Sequence, residues 1–351
     1  MYKVKFTPYR EGLGTIMPRQ TAGHNCVSSD VRYRFYIGEE IEDPDFWVIQ
    51  GKGIRHPQTC LVAPENTILL TTEPRSVLVY PQNYIKQFGV VCSCQEKTRH
   101  PDLRLGPAIL PWHVGFRETA NGCIYSKDYD GLKSAATPQK DKLISVITSN
   151  KNFTQGHIDR IKFVEKLKAY YGDRLDVFGR GYRDFDDKWD VLAPYKYHIS
   201  IENSSQRYYW TEKISDCFLC ETFPFYYGCT NLDDYFPKES FQPIDIHNFE
   251  GTVNLIDRCI REDRYRNAAP VLKECKERVL EEYNMFNYTA ALCDTLNPCL
   301  PKKEVTIEPC HSMQNWHNFY HYSIERNLFK WKQKLKECCS GQSILISEKP
   351  W

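Results

Sequence analysis

Apolar strands that alternate with helices constrain this chain most, and they recur in two sets along it. In the second set, the wholly apolar run LISVITS at 143–149 precedes an amphipathic helix that begins near residue 158. A strand without polar alternation is typical of a parallel sheet that is covered on both faces. Strands and helices then keep alternating as far as residue 246, at the spacing of βαβ units. The sequence therefore predicts an α/β fold.

The first half of the chain shows the same alternation in weaker form. Its strand-like runs lie at 2–7, 32–37, 46–50, 67–72 and 89–93. Residues 99–118 are rich in Pro and Gly and are predicted to be a loop, whereas 134–142 is small, polar and charged, as suits a linker. A chain of 351 residues exceeds one ordinary core. We therefore predict two α/β domains at 1–138 and 139–320, followed by a C-terminal helix or tail at 321–351.

Composition and charge exclude several classes of protein. The 46 basic and 45 acidic residues give a formal net charge of +1, so no overall field attracts nucleic acid and any anion site must be local. No apolar run reaches the roughly 18 residues of a membrane-spanning helix, and the N-terminal residues lack a signal-peptide core. We therefore expect a soluble, cytoplasmic protein, whose fifteen cysteines are reduced and mostly buried.

Metal sites are not predicted. The CSC run at 92–94 and the CFLC run at 217–220 are each spaced as half of a zinc site, but no second pair follows at ligand spacing. The acidic pairs at 186–187 and 233–234 also lack a metal-site context. We expect these two pairs to be solvated turns.

Two charged residues follow apolar strands, where the ligands of open parallel sheets bind. Glu73 comes directly after the run at 67–72 and before Pro74. Partial burial there would raise the pKa of its carboxyl group, as a general base requires; the alternative is an ordinary glutamate of a surface loop. Arg160 is placed in the first turn of the helix after 143–149, where its guanidinium suits a phosphate, unless it only forms a salt bridge on the helix surface.

The run ENSSQRYYWTEKISD at 202–216 combines polar and aromatic residues with the start of a helix. With Thr211 as N-cap, Lys213 occupies the first turn, where the helix dipole disfavours a cation by about 0.3 kcal/mol. A lysine at this position is tolerated where an anion binds. The aromatic residues at 208–210 either stack on a base or ribose or belong to the core. Because Arg160 and Lys213 follow successive strands, we expect their side chains to converge on a diphosphate.

A family signature covers this same region. The chain contains neither a GxGxxG motif nor a P-loop, which argues against a dinucleotide dehydrogenase or a kinase. The segment 195–228 instead closely resembles the signature of the α1,3/α1,4-fucosyltransferase family, glycosyltransferase family 10. The matching positions are Tyr195, Lys196, Glu202, Asn203, Ser204, Tyr209, Thr211, Glu212, Lys213, Pro224 and Gly228. The clear likeness covers 143–250, and in the first half TILLTTEP at 67–74 is similar more weakly.

The resemblance implies a GT-B architecture, in which two Rossmann-like domains face each other across a cleft. The N-terminal domain would bind the acceptor sugar and the C-terminal domain would bind GDP-fucose. The donor-binding residues that the resemblance implies are Arg160, Arg180, Glu202, Asn203, Tyr209, Glu212 and Lys213. Of these, Arg160 and Lys213 would neutralise the diphosphate. Glu73 matches the family's catalytic base.

Within the implied donor site, each remaining residue receives an expected place. Glu212 and Tyr209 would contact the ribose or guanine side of the donor, and Glu202 and Asn203 would lie near the nucleotide sugar. The departures from the family pattern are His198 and Ile201 in the strand and Trp210 before the helix. These three substitutions are compatible with packing.

The implied reaction is a single displacement that inverts GDP-fucose into an α-fucoside. Its acceptor would be a GlcNAc-containing glycan, such as N-acetyllactosamine or a lipopolysaccharide or glycoprotein glycan, with α1,3 linkage favoured over α1,4. GDP-fucose is a substrate, and no cofactor or metal is expected, because two protein cations can stabilise the leaving diphosphate. Two alternatives stay open: a related inverting transferase that uses another GDP-sugar, and a non-catalytic module that binds nucleotide sugars or glycans.

The C-terminal segment is amphipathic and basic. Ile324, Leu328, Trp331 and Leu335 share one face of the predicted helix. Such a face favours either peripheral contact with the inner side of a membrane or packing against the first domain. The resemblance is to a soluble, bacterial-like member of the family.

Overall fold

Two parallel β-sheets, one in each half of the chain, form the framework of the molecule. They are seen in a computed structural model that describes residues 1–10, 12–119, 122–151 and 154–313, together with positions 324, 327, 328 and 331. The sequence analysis predicted two such α/β halves, and this prediction is confirmed. The helices of the described ranges include none with both the length and the apolarity that a bilayer crossing requires.

The first half is built around six parallel strands. Its elements are β1 (Tyr2–Thr7), β2 (Tyr33–Ile37), β3 (Phe46–Gln50), β4 (Gln58–Val62), β5 (Thr67–Leu70), α1 (Gln82–Ile85), β6 (Val90–Ser93), β7 (Leu103–Leu105), β8 (Phe116–Thr119), β9 (Gly122–Tyr125) and α2 (Tyr129–Ser134). The sheet order is β2-β1-β3-β5-β6-β7, and each neighbouring pair is parallel. Every residue of β3 is buried, as expected for a central strand between two covered faces.

The second half repeats this plan with five parallel strands. Its elements are β10 (Lys142–Ile147), α3 (Gln155–Tyr171), β11 (Leu175–Phe178), α4 (Lys188–Leu192), β12 (Tyr195–Gln206), α5 (Glu212–Leu219), β13 (Phe223–Cys229), β14 (Gln242–Pro243), α6 (Phe249–Arg261), α7 (Arg264–Glu281), α8 (Met285–Cys293) and β15 (Lys303–Ile307). Strands β11-β10-β12-β13-β14 form the sheet. The apolar face of α3 buries Ile161, Val164 and Leu167, which the sequence pattern predicted.

The last described elements return to the first half. Strand β15 pairs antiparallel with β4, and the ring of Phe286 in α8 lies 5.0 Å from that of Phe35 in β2. Asn284 donates from Nδ2 to the carbonyl oxygen of Gln20 at 2.5 Å. The second half of the chain therefore supplies part of the packing of the first. The domain limits 1–138, 139–320 and 321–351 stay predictions.

One region differs from the sequence prediction, and a second lies mostly outside the residues that the structure describes. The predicted loop at 99–118 contains β7, which pairs along the edge of the first sheet, and the beginning of β8. Three paired residues between Pro-rich stretches are too short to give a periodic signal. Most of the predicted C-terminal helix, Leu335 included, lies outside the described residues, while Ile324, Leu328 and Trp331 are exposed.

Candidate active site

The carboxyl ends of the strands in the second sheet face a loop of the first half, and two adjoining cavities lie between them. The larger has a volume of about 560 Å³ and is lined by both halves. The smaller has a volume of about 210 Å³ and lies against α3, β12 and α5. The residues that line both cavities are His113, Ile147, Thr148, Ser149 and Lys188.

Arg160 lines the smaller cavity with its side chain buried. Its Nη1 donates to Oδ1 of Asn203 at 2.7 Å, and its Nη2 donates to Oγ of Ser149 at 3.4 Å. Its Nε has no partner within the described part of the chain, and burial lowers its pKa. Both partners are neutral oxygens. The charge of Arg160 is therefore not compensated by a direct carboxylate contact among the described residues.

The position of Arg160 on its helix corrects the sequence analysis. Helix α3 begins at Gln155, so Arg160 lies in the second turn and not in the first. The helix begins close to β12, because Gly156 has no side chain: an added Cβ would lie 2.2 Å from the carbonyl oxygen of Asn203. This close approach brings Arg160 and the half-buried Asn203 into contact.

Lys213 also lines the smaller cavity, in the first turn of α5. Its Nζ lies 3.0 Å from Oε2 of Glu202 and 3.3 Å from Oε1 of Glu212. Thr211, the predicted N-cap, accepts from the backbone N–H of Lys213 at 3.4 Å. Burial opposes the charge of Lys213, but Glu202 and Glu212 outweigh it and raise its pKa. Arg160 and Lys213 thus line one cavity, and their convergence on a diphosphate stays a prediction.

Two predicted donor contacts lie behind the cavity wall. Glu202 is fully buried, and its Oε1 accepts from the backbone N–H of Thr211 at 2.9 Å and from its hydroxyl at 2.8 Å. Glu202 therefore fixes the first turn of α5. Tyr209 is also buried and packs against Cys94 and Ala108 of the first half. Neither residue lines either cavity, because the first turn of α5 and the facing half cover them.

Glu212 and Arg180 reach the two cavities at different places. Glu212 lines the smaller cavity, and although burial opposes its charge, Lys213 and Lys188 pull its pKa well below the ordinary value. Arg180 follows β11, is exposed and lines the larger cavity. Burial lowers the pKa of nearby Lys151, and Arg180 and Arg160 add to that effect. A positively charged wall therefore extends from one cavity to the other.

Glu73 enters the site from the first half. It follows β5 and is half-buried, and its carbonyl oxygen accepts from Nε2 of Gln95 at 2.8 Å. Burial raises the pKa of its carboxyl group to about 7, although Lys213 opposes the shift. Glu73 does not line either cavity, but Lys213, Glu212 and Glu202 all act on its charge. Two of these residues, Lys213 and Glu212, line the smaller cavity, so Glu73 shares the charges of that cavity.

A buried carboxylate that the sequence analysis missed links the two halves. Asp216 of α5 is fully buried, and its Oδ1 accepts from the backbone N–H groups of His113 and Val114 at 2.9 and 3.0 Å. Its Oδ2 lies 2.7 Å from Nζ of Lys188. The two backbone contacts span 103 and 102 residues of sequence, so no local pattern marks them. They hold the loop before β8 against α5.

Asp187 corrects a second expectation. It is not a solvated turn but the buried N-cap of α4, where its Oδ1 accepts from the backbone N–H of Trp189 at 2.8 Å. The same oxygen accepts from the backbone N–H of Gly115 at 2.8 Å, and Oδ2 accepts from the hydroxyl of Ser126 at 2.5 Å. The neighbouring Asp186 is exposed. The docked loop of the first half therefore buries one of the two carboxylates.

The cysteines and acidic residues make no metal site in the described ranges. No group of three His, Cys, Asp or Glu side chains comes together there as a ligand set. The cysteines that the structure describes are free thiols, and most of them are buried. Burial raises the pKa of the Cys92 and Cys94 thiols to about 12.

Comparison with known proteins finds a family model that matches most of the second half. The family model described as glycosyltransferase family 10 (fucosyltransferase) C-term matches residues 137–267. The 4-galactosyl-N-acetylglucosaminide 3-alpha-L-fucosyltransferase 9 of Homo sapiens is 28% identical over 116 residues, which are 32% of this chain and 31% of that protein. The alpha-(1,3)-fucosyltransferase FucT of Helicobacter pylori is 27% identical over 128 residues, 36% of this chain and 26% of that protein. The chain thus spans about a third or less of the length of these curated relatives.

A solved structure shows a likeness along more of the chain. A crystal structure of an alpha1,3-fucosyltransferase with GDP aligns with 81% of this chain and 92% of that one, at 15% sequence identity and a TM-score of 0.48.

Proposed function

We propose that this chain, whose residues 137–267 match the model of glycosyltransferase family 10, transfers fucose from GDP-fucose to a hydroxyl group of a GlcNAc-containing glycan. One observation carries the proposal. Arg160 and Lys213 line the same small cavity at the carboxyl edge of the second sheet, and Arg160 has no direct carboxylate partner among the described residues. A buried guanidinium in this position favours an anionic ligand.

The diphosphate of the donor would bind between these two cations. Arg160 can direct one edge of its guanidinium at phosphate oxygens, while Lys213 supplies a second charge from the first turn of α5. The ionised carboxylate of Glu212 lines the same cavity and suits the ribose hydroxyls. Asn203 orients Arg160, and Glu202 orients Lys213.

Two donor residues of the sequence analysis occupy more distant positions. Arg180 would contact the nucleoside from the wall of the larger cavity. Tyr209 would support the site from behind, by packing against Cys94 and Ala108. The sequence analysis placed Tyr209 in contact with the donor, and its burial favours a supporting role instead.

Transfer would proceed by a single displacement at the anomeric carbon. As the bond to the diphosphate breaks, Arg160 and Lys213 stabilise the charge that develops on the leaving group. Glu73 takes the proton from the attacking hydroxyl, and its pKa of about 7 suits a general base near neutral pH. Because Glu73 belongs to the first half and the cations to the second, the acceptor and the donor bind to opposite walls. Attack from the wall opposite the leaving group inverts the configuration and favours an α-fucoside, with α1,3 linkage as the expected product.

Calorimetry and a turnover assay test the proposal in two steps. The protein is titrated with GDP, GDP-fucose, GDP-mannose and UDP, and GDP release is then followed with N-acetyllactosamine as acceptor. We expect binding of GDP and GDP-fucose and turnover of GDP-fucose. Binding of GDP-mannose in place of GDP-fucose would favour another GDP-sugar transferase, and binding without turnover on a panel of glycans would favour a non-catalytic module.

A pair of variants on one helix sharpens the test. Arg160→Met removes the cavity cation, whereas Lys162→Met removes an exposed charge two residues along α3. We expect Arg160→Met to weaken GDP binding at least about tenfold, because it removes a charge-assisted hydrogen bond. Lys162→Met should leave GDP binding unchanged. Equal GDP affinity in the two variants would contradict the donor site.

A further inference from the structure

His113 brings the first half into the smaller cavity. Among the described residues that line this cavity, which include Arg160, Glu212 and Lys213, His113 alone comes from the first half. It also lines the larger cavity, so its ring lies where the two cavities meet. A ligand that occupies the smaller cavity would therefore meet both halves of the molecule at this side chain.

The backbone on both sides of His113 is fixed. Its N–H and that of Val114 donate to the buried carboxylate of Asp216. From the other side, the guanidinium of Arg19 donates to the carbonyl oxygens of Trp112 and Val114 at 2.6 and 3.1 Å. The ring is therefore held at the cavity before any ligand arrives, and a contact made by it costs little conformational entropy.

The ring of His113 leaves its hydrogen-bonding groups unused. Neither of its nitrogens has a hydrogen-bond partner among the residues that the structure describes, and its ring meets that of Phe116 edge to face at 5.6 Å. His198 shows the contrast: it is buried in β12, and its Nδ1 lies 2.8 Å from the hydroxyl of Ser145. A histidine in a core is satisfied in this way. His113 is half-buried, with its polar atoms available to the cavity.

The surroundings of His113, burial first among them, lower its pKa and favour the neutral imidazole in the free protein. Burial lowers its pKa, and Lys188 of α4 adds to this effect, as Arg19 does more weakly. Glu212 and Asp216 of α5 oppose it. A diphosphate in the smaller cavity would add negative charge beside the ring and reverse the balance in favour of the imidazolium form.

We propose that His113 contacts the nucleoside diphosphate directly: its imidazole donates a hydrogen bond to a phosphate oxygen and takes up a proton as the nucleotide binds. The inference rests on the proposed GDP-sugar function. It gives the first half a direct share in donor binding, beside the cations of the second half. Nucleotide binding and the docking of the loop before β8 then stabilise each other.

Calorimetric titration with GDP in two buffers of different ionisation enthalpy, at about pH 7, counts the protons that binding takes up. We expect His113→Asn to lose part of the wild-type proton uptake. It should also bind GDP about tenfold more weakly, because one charge-assisted hydrogen bond is lost. His247→Asn serves as the matched control, because His247 is exposed and lines a different cavity. That variant should keep the wild-type values.

Each other result overturns the inference. If His113→Asn binds GDP with wild-type affinity and proton uptake, His113 does not contact the nucleotide. If affinity falls but proton uptake is unchanged, the residue only positions the loop. If the wild-type protein does not bind GDP at all, the proposed function fails as well, which separates the two cases.

A measurement on the wild-type protein tests the same inference even if His113→Asn does not fold. Nitrogen-15 spectra of the histidine rings, recorded across pH with and without GDP, should show a ring whose pKa rises on nucleotide binding. Spectra in which GDP raises no histidine pKa would overturn the inference.

Discussion

The carboxylate of Asp216 accepts from the first half and pairs with Lys188 of its own half, so a change at Asp216 gives a sharp test of this contact. Asp216→Asn keeps the shape of the side chain and an oxygen for the N–H groups of His113 and Val114. It removes the charge that faces Lys188 at 2.7 Å and turns an amide donor toward an ammonium donor. The variant therefore leaves a largely buried charge without a partner.

The expected cost follows from the burial of the pair. Removing one partner of a buried ion pair costs about 3–5 kcal/mol. The side chain of Lys188 is 17% exposed, so some solvent reaches it, and we expect the lower end, about 3 kcal/mol. With an m-value of about 3 kcal/mol/M, the urea midpoint should fall by about 1 M. Trp112 and Trp189 flank His113 and Lys188, so tryptophan fluorescence reports the unfolding of this region.

The pH dependence provides a second readout with a defined sign. In the wild type, burial opposes the charge of Lys188, but Asp216 and Glu212 outweigh it and raise its pKa. The pair therefore stabilises the folded state fully below the pKa of an unfolded lysine, about 10.4. This stabilisation is lost as pH rises through the higher pKa of the folded state. In Asp216→Asn, the folded pKa of Lys188 should fall below the unfolded value. The unfolded state then binds more protons, and the variant should gain stability as pH rises from about 7 to 9.

Two outcomes would contradict this reasoning. One is a variant as stable as the wild type. The other is a stability difference that stays constant between about pH 7 and pH 9. Lys188→Met in the Asp216→Asn background provides the control, because it removes the unpaired charge and should restore part of the loss. A double variant less stable than Asp216→Asn would mean that packing, and not charge, dominates at this contact.

The remaining predictions concern the site and its support. Glu73→Gln should reduce turnover at least about 100-fold, while calorimetry shows unchanged GDP affinity. The kcat/KM of the wild type should fall as pH drops below about 7, because Glu73 becomes protonated. A kcat/KM that does not change with pH would contradict the role of Glu73 as general base. Lys213→Met should weaken GDP binding about tenfold or more, and wild-type affinity would remove Lys213 from the donor site. Gly228→Ala places a Cβ 2.5 Å from Cγ of Glu202 and from the hydroxyl of Tyr226, so it should destabilise by about 1–3 kcal/mol; an unchanged melting temperature would show that Glu202 can move freely.

The sequence predicts the second sheet well and parts of the first half less well. Strands β10 and β13 and the first half of β12 are largely apolar, and their composition explains their burial. Strand β4 instead alternates between buried and more exposed residues, and β15 is mostly exposed. The two strands pair across about 250 positions of sequence, as the contact between Thr59 and Thr306 shows. Their register depends on the packing of the whole chain. A local pattern therefore cannot identify β4 as the partner of β15.

The candidate site divides in the same way. Arg160 and Lys213 were predicted because each follows a strand, and chain order alone places strand ends at one edge of a parallel sheet. His113 and Asp216 come from a loop and a helix of different halves, so no spacing links them. Glu202 was predicted from its place in the family signature. Only the structure shows that it is buried and pairs with Lys213 and does not line the cavity.

The return of β15 to β4 has a consequence for dissection of the molecule. A protease that cuts in the segment 134–142 severs the covalent link between the two halves there, yet the C-terminal fragment still supplies a strand to the N-terminal one. The two pieces should therefore copurify as a nicked but intact protein. For the same reason, coexpression of 1–138 with the rest of the chain should reconstitute it, whereas 1–138 alone would expose the edge of β4 and tend to aggregate.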